Sequence, residues 1–199
     1  MYFFSSDLHF GDFENLKVDN RPYKSLKKFH SYVIRTWNKQ AKKNDTIFVI
    51  GDFIDCDGKD NDTFKETLTY VKKIKANVVL IMGNNEDRVV KYFFDNDFDK
   101  FKEYCLSLGY KGVYKYLDIS FQNRDFYLVH KPIHCIKGKI NLFGHVHRSG
   151  GLYAPYGINV GCDLNHFRLY DENDIFKFLD MKQRYWDNDK NLNLKWENL

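Results

Sequence analysis

The sequence is poor in residues that could hold a fold together covalently. Its four cysteines, Cys56, Cys105, Cys135 and Cys162, lie far apart and form no Cys-x-x-Cys pair. Neither a zinc ribbon nor a disulfide framework is expected; reduced thiols in a cytoplasmic protein are. No apolar window reaches the roughly 20 residues of a membrane span. The opening Met1-Tyr2-Phe3-Phe4-Ser5-Ser6-Asp7 has too short an apolar run, and no basic flank, for a signal peptide. A basic block is missing too: the formal charge is only +4 and the lysines are scattered. That balance permits an anionic ligand without announcing nucleic acid. Repeats and linkers are also lacking, so the 199 residues read as one domain, with a loosely packed tail from about Asp187.

What is present is a soluble globular composition, 43% hydrophobic and 29% charged, which excludes a disordered chain. With 18 Phe and 14 Tyr the core is expected to be aromatic-rich. Tyr2 to Ser5, Thr46 to Ile50 and Val78 to Met82 are short continuous apolar runs, the pattern of strands covered on both faces. Between them Lys24 to Lys43 carries a helical stripe (Leu26, Phe29, Val33, Trp37, Ala41), and a second helix capped by Asp62 carries Phe64, Leu68, Val71 and Ile74. Asp87 to Leu108 is helical in two pieces, stopped by Gly109. The second half changes character. Val113 to Phe121 and Phe126 to Val129 flank a hairpin turn, Ile140 to Phe143 and Ile158 to Val160 add strands, and Asp171 to Lys182 is a last helix. The segment from Asp12 to Pro22 reads as irregular. A loop with Asp55, Asp57, Gly58 and Asp60 resembles a calcium loop only superficially, because no glutamate falls at the EF-hand spacing.

Polar residues recur where these strands end. Gly144-His145-Val146-His147 follows one, Asp7 and His9 follow the first, and Asp52, Asn84 and His130 follow three more. In extended backbone residues i and i+2 point to one side, so each closely spaced pair could face one site. Gly144 removes a side chain where backbone must approach something closely. Strand ends on one sheet edge converge, which suits an α/β fold with its functional groups there. Carboxylate, imidazole and amide oxygen together suit Mn, Fe or Zn. Seven ligands exceed one tetrahedral ion but suit two ions sharing a carboxylate.

Asp7-x-His9, Gly51-Asp52, Gly83-Asn84, His130 and Gly144-His145-x-His147, in that order, resemble the calcineurin-like metallophosphoesterases, most closely a small bacterial and phage-type subgroup. Arg21-Pro22-Tyr23, Trp37-Asn38 and Asn159-Val160-Gly161-Cys162-Asp163 extend the likeness from Phe3 to about Ile175. The resemblance implies a four-layer α/β/β/α sandwich of two mixed sheets flanked by helices. It implies two divalent ions, one on Asp7, His9, Asp52 and His147, the other on Asp52, Asn84, His130 and His145, with Asp52 bridging. The implied activity is hydrolysis of a small phosphomonoester or phosphodiester, nucleotide-like in character, by metal-activated hydroxide. An alternative is a protein-binding scaffold with a weakened metal site; a nuclease would need a basic groove that the sequence does not display. The family motif usually reads Gly-Asn-His, and here Asn85 replaces that histidine. Asn85 can donate a hydrogen bond to substrate but cannot deliver a proton, so activated diesters are the expected better substrates. Asp12 also stands where the subgroup has histidine. Arg21 and Arg148 are candidate phosphate ligands, since a guanidinium matches phosphate oxygens bidentately. His134 and His166 are candidates to line the pocket; His30 is expected to be a surface or packing residue.

Overall fold

A computed structural model describes residues 1–56, 61–154 and 156–186. In its first half β1 (Tyr2–Ser5), α1 (Phe13–Val18), α2 (Leu26–Gln40), β2 (Thr46–Ile50), α3 (Asn61–Leu68), β3 (Asn77–Ile81), α4 (Asn84–Phe93) and α5 (Phe98–Leu108) alternate. There follow β4 (Gly112–Tyr114), β5 (Leu117–Phe121), β6 (Arg124–Leu128), β7 (Ile140–Phe143), β8 (Tyr153–Ala154), β9 (Gly157–Asn159), β10 (Tyr170–Asp171) and α6 (Glu172–Met181). The described strands form two five-stranded sheets, ordered β10-β1-β2-β3-β4 and β5-β6-β7-β9-β8. In the first, β1 to β4 run parallel and β10 antiparallel. In the second, β6, β7 and β9 run parallel while β5 and β8 are antiparallel edges. The architecture is thus mixed α/β, two mixed sheets flanked by helices.

The apolar runs explain the layering. Because side chains alternate across a strand, a run with no polar member buries both faces. Phe3, Ile47, Val49, Val78 and Leu80 join the cluster of Phe29, Val33 and Trp37 from α2, with Val89 and Phe101 from α4 and α5. Their neighbours Phe4, Phe48, Ile50, Val79 and Ile81 face Phe126, Leu128, Leu142 and Ile158 of the second sheet. Ile175 and Phe176 of α6 complete that inner layer. Local chemistry ends the helices where expected. The Ser25 hydroxyl accepts from Lys28 N to cap α2, and Gly109 closes α5 at φ 112°, a conformation that costs other residues strain.

Several expectations need correcting. Val113 to Phe121 is not one strand. β4 extends the first sheet, the chain turns at Lys115-Tyr116, and β5 enters the second, so this short stretch carries the chain between layers. The segment after Asp12 is not irregular throughout: Asp12 accepts from Glu14 N and caps α1, whose Leu16 is buried. The helix given to Asp62 starts at Asn61 and tightens into a 3-10 turn over Thr69–Lys73. Asp57, Gly58 and Asp60 of the acidic loop, and the tail from Asp187, lie outside the described residues. Among the described residues no helix is long and apolar enough to cross a membrane.

Candidate metal centre

The loops leaving β1, β2, β3, β6 and β7 meet at one end of the two sheets. Asp7, His9, Asp52, His145 and His147 all have positive φ, between 47° and 74°. Each such non-glycine conformation costs on the order of 1–3 kcal/mol and persists only where its surroundings enforce it, commonly at functional sites. The expected extended i, i+2 geometry is therefore wrong for both pairs. The backbone curls, and His145 and His147 turn to different partners: Asp7, His9 and His147 form one group of closely spaced ligand atoms, and Asp52, His130 and His145 another. The required close approach at Gly144 does hold. A Cβ there would collide with Ser6 Oγ and would come within 2.6 Å of Asp7 Oδ2.

Asp52 lies between the groups, its Oδ2 3.6 Å from His9 Nε2 and 3.4 Å from His130 Nε2. His9 Nε2 and His147 Nε2 are 3.1 Å apart, and His147 Nε2 is 4.0 Å from Asp7 Oδ1. Asn84 Oδ1 stands 3.2 Å from His130 Nε2. The second ring nitrogens are already engaged. His130 Nδ1 donates to Ile50 O at 2.9 Å and His147 Nδ1 to Asp19 Oδ2 at 2.7 Å. Those bonds fix the tautomer in which Nε2 presents its lone pair to the cluster, the usual support for a metal-ligating histidine. Two imidazole nitrogens aimed at each other beside two carboxylates are satisfied by a shared proton or by a cation between them. The donor set fits divalent metal.

Electrostatics divide over that fit: although burial opposes it, the hydrogen bond and charge of Asp52 raise His130 to about 9, so an ion bound there would displace a proton. Burial holds the His9 imidazole down to about 3, against the opposing pull of Asp52, so the ring is neutral and free to ligate. Burial would raise the Asp52 carboxyl, but the hydrogen bond and positive charge of His130 hold it well below the usual range. Burial raises Asp7 above its ordinary value, although His130 and His147 oppose the shift. For His147 the Asp19 hydrogen bond and neighbouring carboxylates overcome burial and raise the ring.

Around the ligands lies support that the sequence alone did not reveal. The Glu86 carboxylate accepts from Asp52 N (2.8 Å), Phe53 N (2.9 Å) and Gly83 N (2.9 Å), tying the β2 and β3 loops together. Burial, then the charge of Asp52, pushes its carboxyl up to about 7. Asp19 and Asp163 join His147 in a third group of possible ligands. Asp163 also explains Arg21, whose expected role needs correcting. The Arg21 guanidinium is buried, donates twice to Asp163 (2.9 and 2.7 Å), and donates to Leu8 O and Asp7 O (each 2.7 Å). With its fork spent inward it braces the Asp7 loop and offers nothing to a phosphate. Two stretches far apart in sequence, Arg21-Pro22-Tyr23 and Asn159 to Asp163, are thus one device. Asn159 completes it, donating to His147 O (2.8 Å) and Gly151 O (2.9 Å).

The other candidates divide. Arg148 is exposed at the rim and donates to Asp19 O. Asn85 is buried, its Nδ2 3.2 Å from His9 Nδ1 and its Oδ1 accepting from Arg88 at 3.1 Å, so its amide faces a ligand instead of open space. His134 does line a cavity of about 360 Å³ beside Asn84 and His130. His166 is exposed in the loop before β10. His30 is a packing residue: buried, 3.2 Å from Tyr70 Oη, its Nε2 accepting from Gly11 N at 3.3 Å.

A family model described as calcineurin-like phosphoesterase matches residues 3–198. The chain belongs to that family. Members of that family are metal-dependent phosphoric ester hydrolases acting on phosphorylated substrates, and in this chain the Asp and His groups are where metal could bind. The solved "Protein of Unknown Function AQ665" from Aquifex aeolicus superposes with TM-score 0.62 at 23% identity, covering 89% of this chain and 98% of that one. That likeness shows the fold. "Uncharacterized protein MJ1445" of Methanocaldococcus jannaschii is 26% identical over 135 residues, 65% of this chain, and the chain spans 66% of that relative's length. A nuclease MPE from Pseudomonas putida matches with TM-score 0.44 at 19% identity, over 73% of this chain and 61% of that one.

Proposed function

We propose that this phosphoesterase works with two divalent ions on a small, nucleotide-like phosphoester. The observation that carries the two-ion reading is the position of Asp52, whose Oδ2 is within 3.6 Å of His9 Nε2 on one side and 3.4 Å of His130 Nε2 on the other. Asp7, His9, Asp52 and His147 would hold one ion, and Asp52, Asn84, His130 and His145 the other. Bound there, Mn, Fe or Zn would neutralise phosphoryl charge and lower the pKa of water. The chain's own part is to hold the donors before substrate arrives. Glu86 fixes the Asp52 loop through three backbone N–H groups, and Arg21 and Asp163 fix that of Asp7. Asn85 orients the His9 ring, which supports reading it as a positioning residue.

A nucleotide-like substrate is favoured by the cavity beside Asn84 and His130. Tyr116 and Tyr127, 5.6 Å apart, form an aromatic wall suited to a planar base, with Lys115, Lys131 and His134 nearby for phosphate oxygens. At about 360 Å³ it is sized for a nucleotide and not for a folded partner. Since Asn85 supplies no proton, substrates with good leaving groups are preferred, activated diesters over alkyl monoesters.

The test is metal content per chain together with hydrolysis of bis(p-nitrophenyl) phosphate with added Mn²⁺, comparing wild type with Asp52→Asn. Two equivalents of metal and turnover abolished by the substitution are expected. One equivalent, or turnover indifferent to Asp52, would overturn the two-ion reading. Faster hydrolysis of an alkyl monoester would overturn the diester preference.

A further inference from the structure

The largest described cavity is not at the metal centre. It is a groove of about 970 Å³ between α2 and the α3 segment with the turn that follows. Among the described residues its walls carry Lys27, Arg35, Lys39, Lys73 and Lys75 and one carboxylate, Glu66. Glu66 is itself occupied, its Oε1 accepting from Tyr70 Oη at 3.2 Å. Among the described residues the lysine and arginine ion pairs use other cations: Lys17, Arg21, Lys100, Lys139 and Arg184. Five cations facing one concavity, none of them in an ion pair among the described residues, repel one another, and a bound polyanion would relieve that repulsion.

We propose that this groove binds the backbone of a single-stranded nucleic acid. Three features favour such a strand. Lys27, Arg35 and Lys39 are spaced eight and four residues apart on one face of α2. At about 1.5 Å per residue they form a row of roughly 18 Å, long enough for several phosphates, which repeat every ~3.4 Å along a stacked strand. Lys73 and Lys75 stand on the facing wall, and Lys73 Nζ lies 4.1 Å from the centre of the Tyr70 ring. The floor between the walls is apolar, formed by Leu26, Ile34 and Tyr70. An unpaired strand exposes base faces that such a floor can cover, whereas a duplex presents mainly phosphates and an anionic membrane is flat. The groove is also held in shape: Asn38 Nδ2 donates to Lys73 O (2.8 Å) and its Oδ1 accepts from Lys75 N (2.7 Å), pinning one wall to the other. Its inner end reaches Gly11, two residues beyond His9, where Gly11 N donates to His30 Nε2.

Binding is measured apart from hydrolysis, with full-length protein in EDTA and a labelled single-stranded DNA of about twelve nucleotides. Fluorescence anisotropy across a salt series compares wild type with the triple variant Arg35→Glu, Lys39→Glu, Lys73→Glu. Wild type is expected to bind at about 50 mM salt, with log affinity falling as log salt rises by ~0.7 per phosphate contacted. The triple variant should bind at least about tenfold more weakly, with a slope shallower by about 2. Metal-dependent hydrolysis of bis(p-nitrophenyl) phosphate should be unchanged in the variant, which also verifies its fold. If reversal of charge unfolds the chain, Lys27→Gln with Lys75→Gln provides the same comparison with a smaller loss. Absence of wild-type binding, equal binding by the variants, tighter binding of a duplex of equal length, equal binding of polyglutamate, or capture by anionic vesicles instead of the oligonucleotide would each overturn the proposal. None of these outcomes bears on the metal centre.

Discussion

The two halves of the candidate metal centre are built from similar side chains but held in place by different means. Asp7, His9 and His147 rest on a buried ionic layer in which Arg21 joins Asp163 and two backbone carbonyls, and Asp19 anchors the His147 ring. Asp52, Asn84 and His130 rest on backbone: Glu86 collects N–H groups from two loops, and His130 donates to Ile50 O. The first design draws on chain segments more than a hundred residues apart and stakes its geometry on a desolvated ion pair. The second gathers backbone N–H groups of the β2 and β3 loops, and its one charge partner from the other sheet is His130 beside Asp52. A buried pair is costly to break because the surviving charge is stranded, whereas a carboxylate on backbone N–H groups loses hydrogen bonds one at a time. The first half should therefore fail as a unit and the second by degrees.

Asp52 is the residue that the proposed two-ion site shares, so its loss should have the largest effect. Asp52→Asn is expected to forfeit several kcal/mol of charge stabilisation, on the order of 10³ in turnover, read by bis(p-nitrophenyl) phosphate hydrolysis. Asp163→Ala isolates the ionic layer. It strands the Arg21 guanidinium and should cost about 3–5 kcal/mol in urea unfolding of the metal-free protein. A loss under 1 kcal/mol would show that the layer does not brace the first half. Asp19→Asn keeps the Arg21–Asp163 pair but removes a charge 3.5 Å from Arg21 and weakens the support of His147, so metal affinity measured by calorimetry should fall about 10–100-fold for one ion and little for the other. Glu86→Gln tests the second half. Its Nε2 would face a backbone donor where a carboxylate oxygen accepts from Asp52 N and Gly83 N, costing about 1–3 kcal/mol. A cost as large as that of Asp163→Ala would remove the contrast.

The smallest effect concerns pH. Burial, aided by the nearby positive charge of Lys73, lowers the His30 imidazole from its ordinary 6.5 to about 4. A histidine depressed in the folded state favours folding above its unfolded pKa, and that contribution is lost as pH falls through the folded one. As pH falls from 6.5 towards about 4 the opened form takes up a proton that the folded form does not, and below about 4 the folded His30 is itself protonated and no longer accepts from Gly11 N. Amide exchange at Gly11 should then show more opening on acidification than a reference amide in β3. The difference should shrink in His30→Gln, which keeps an acceptor without titrating.

Most of the architecture was legible because it rests on local chemistry. The largely apolar runs at Tyr2, Thr46 and Ile140 became β1, β2 and β7 at the expected bounds, the buried Asn141 of β7 being tolerated because its amide donates to Ile136 O, Lys139 O and Tyr156 O. Gly109 ended α5 as a residue free to adopt φ 112° must. Legibility failed where a decision was not local. Whether Val113 to Phe121 stays in one sheet depends on which layer offers an edge, and neither strand propensity nor alternation records that. The six residues of α1 are too few for periodicity to declare.

The same division runs through the metal centre. Asp7, His9, Asp52, Asn84, His130, His145 and His147 could be put forward from sequence as candidates because each follows a strand, and the structure gathers Asp7, His9 and His147 into one group and Asp52, His130 and His145 into another. Which histidine faces which aspartate could not, because positive φ at His145 and His147 breaks the extended alternation. Asp19, Asp163 and the inward turn of Arg21 were equally hidden, as was the gathering of Lys27, Arg35, Lys39, Lys73 and Lys75 around one groove. By itself the sequence determined the strands, most of the helices and the ligand types, which depend on neighbours along the chain. Only the tertiary structure decided pairing, support and the collected charge, because electrostatic and hydrogen-bonding partners are chosen by distance in space, on which separation along the chain has no hold.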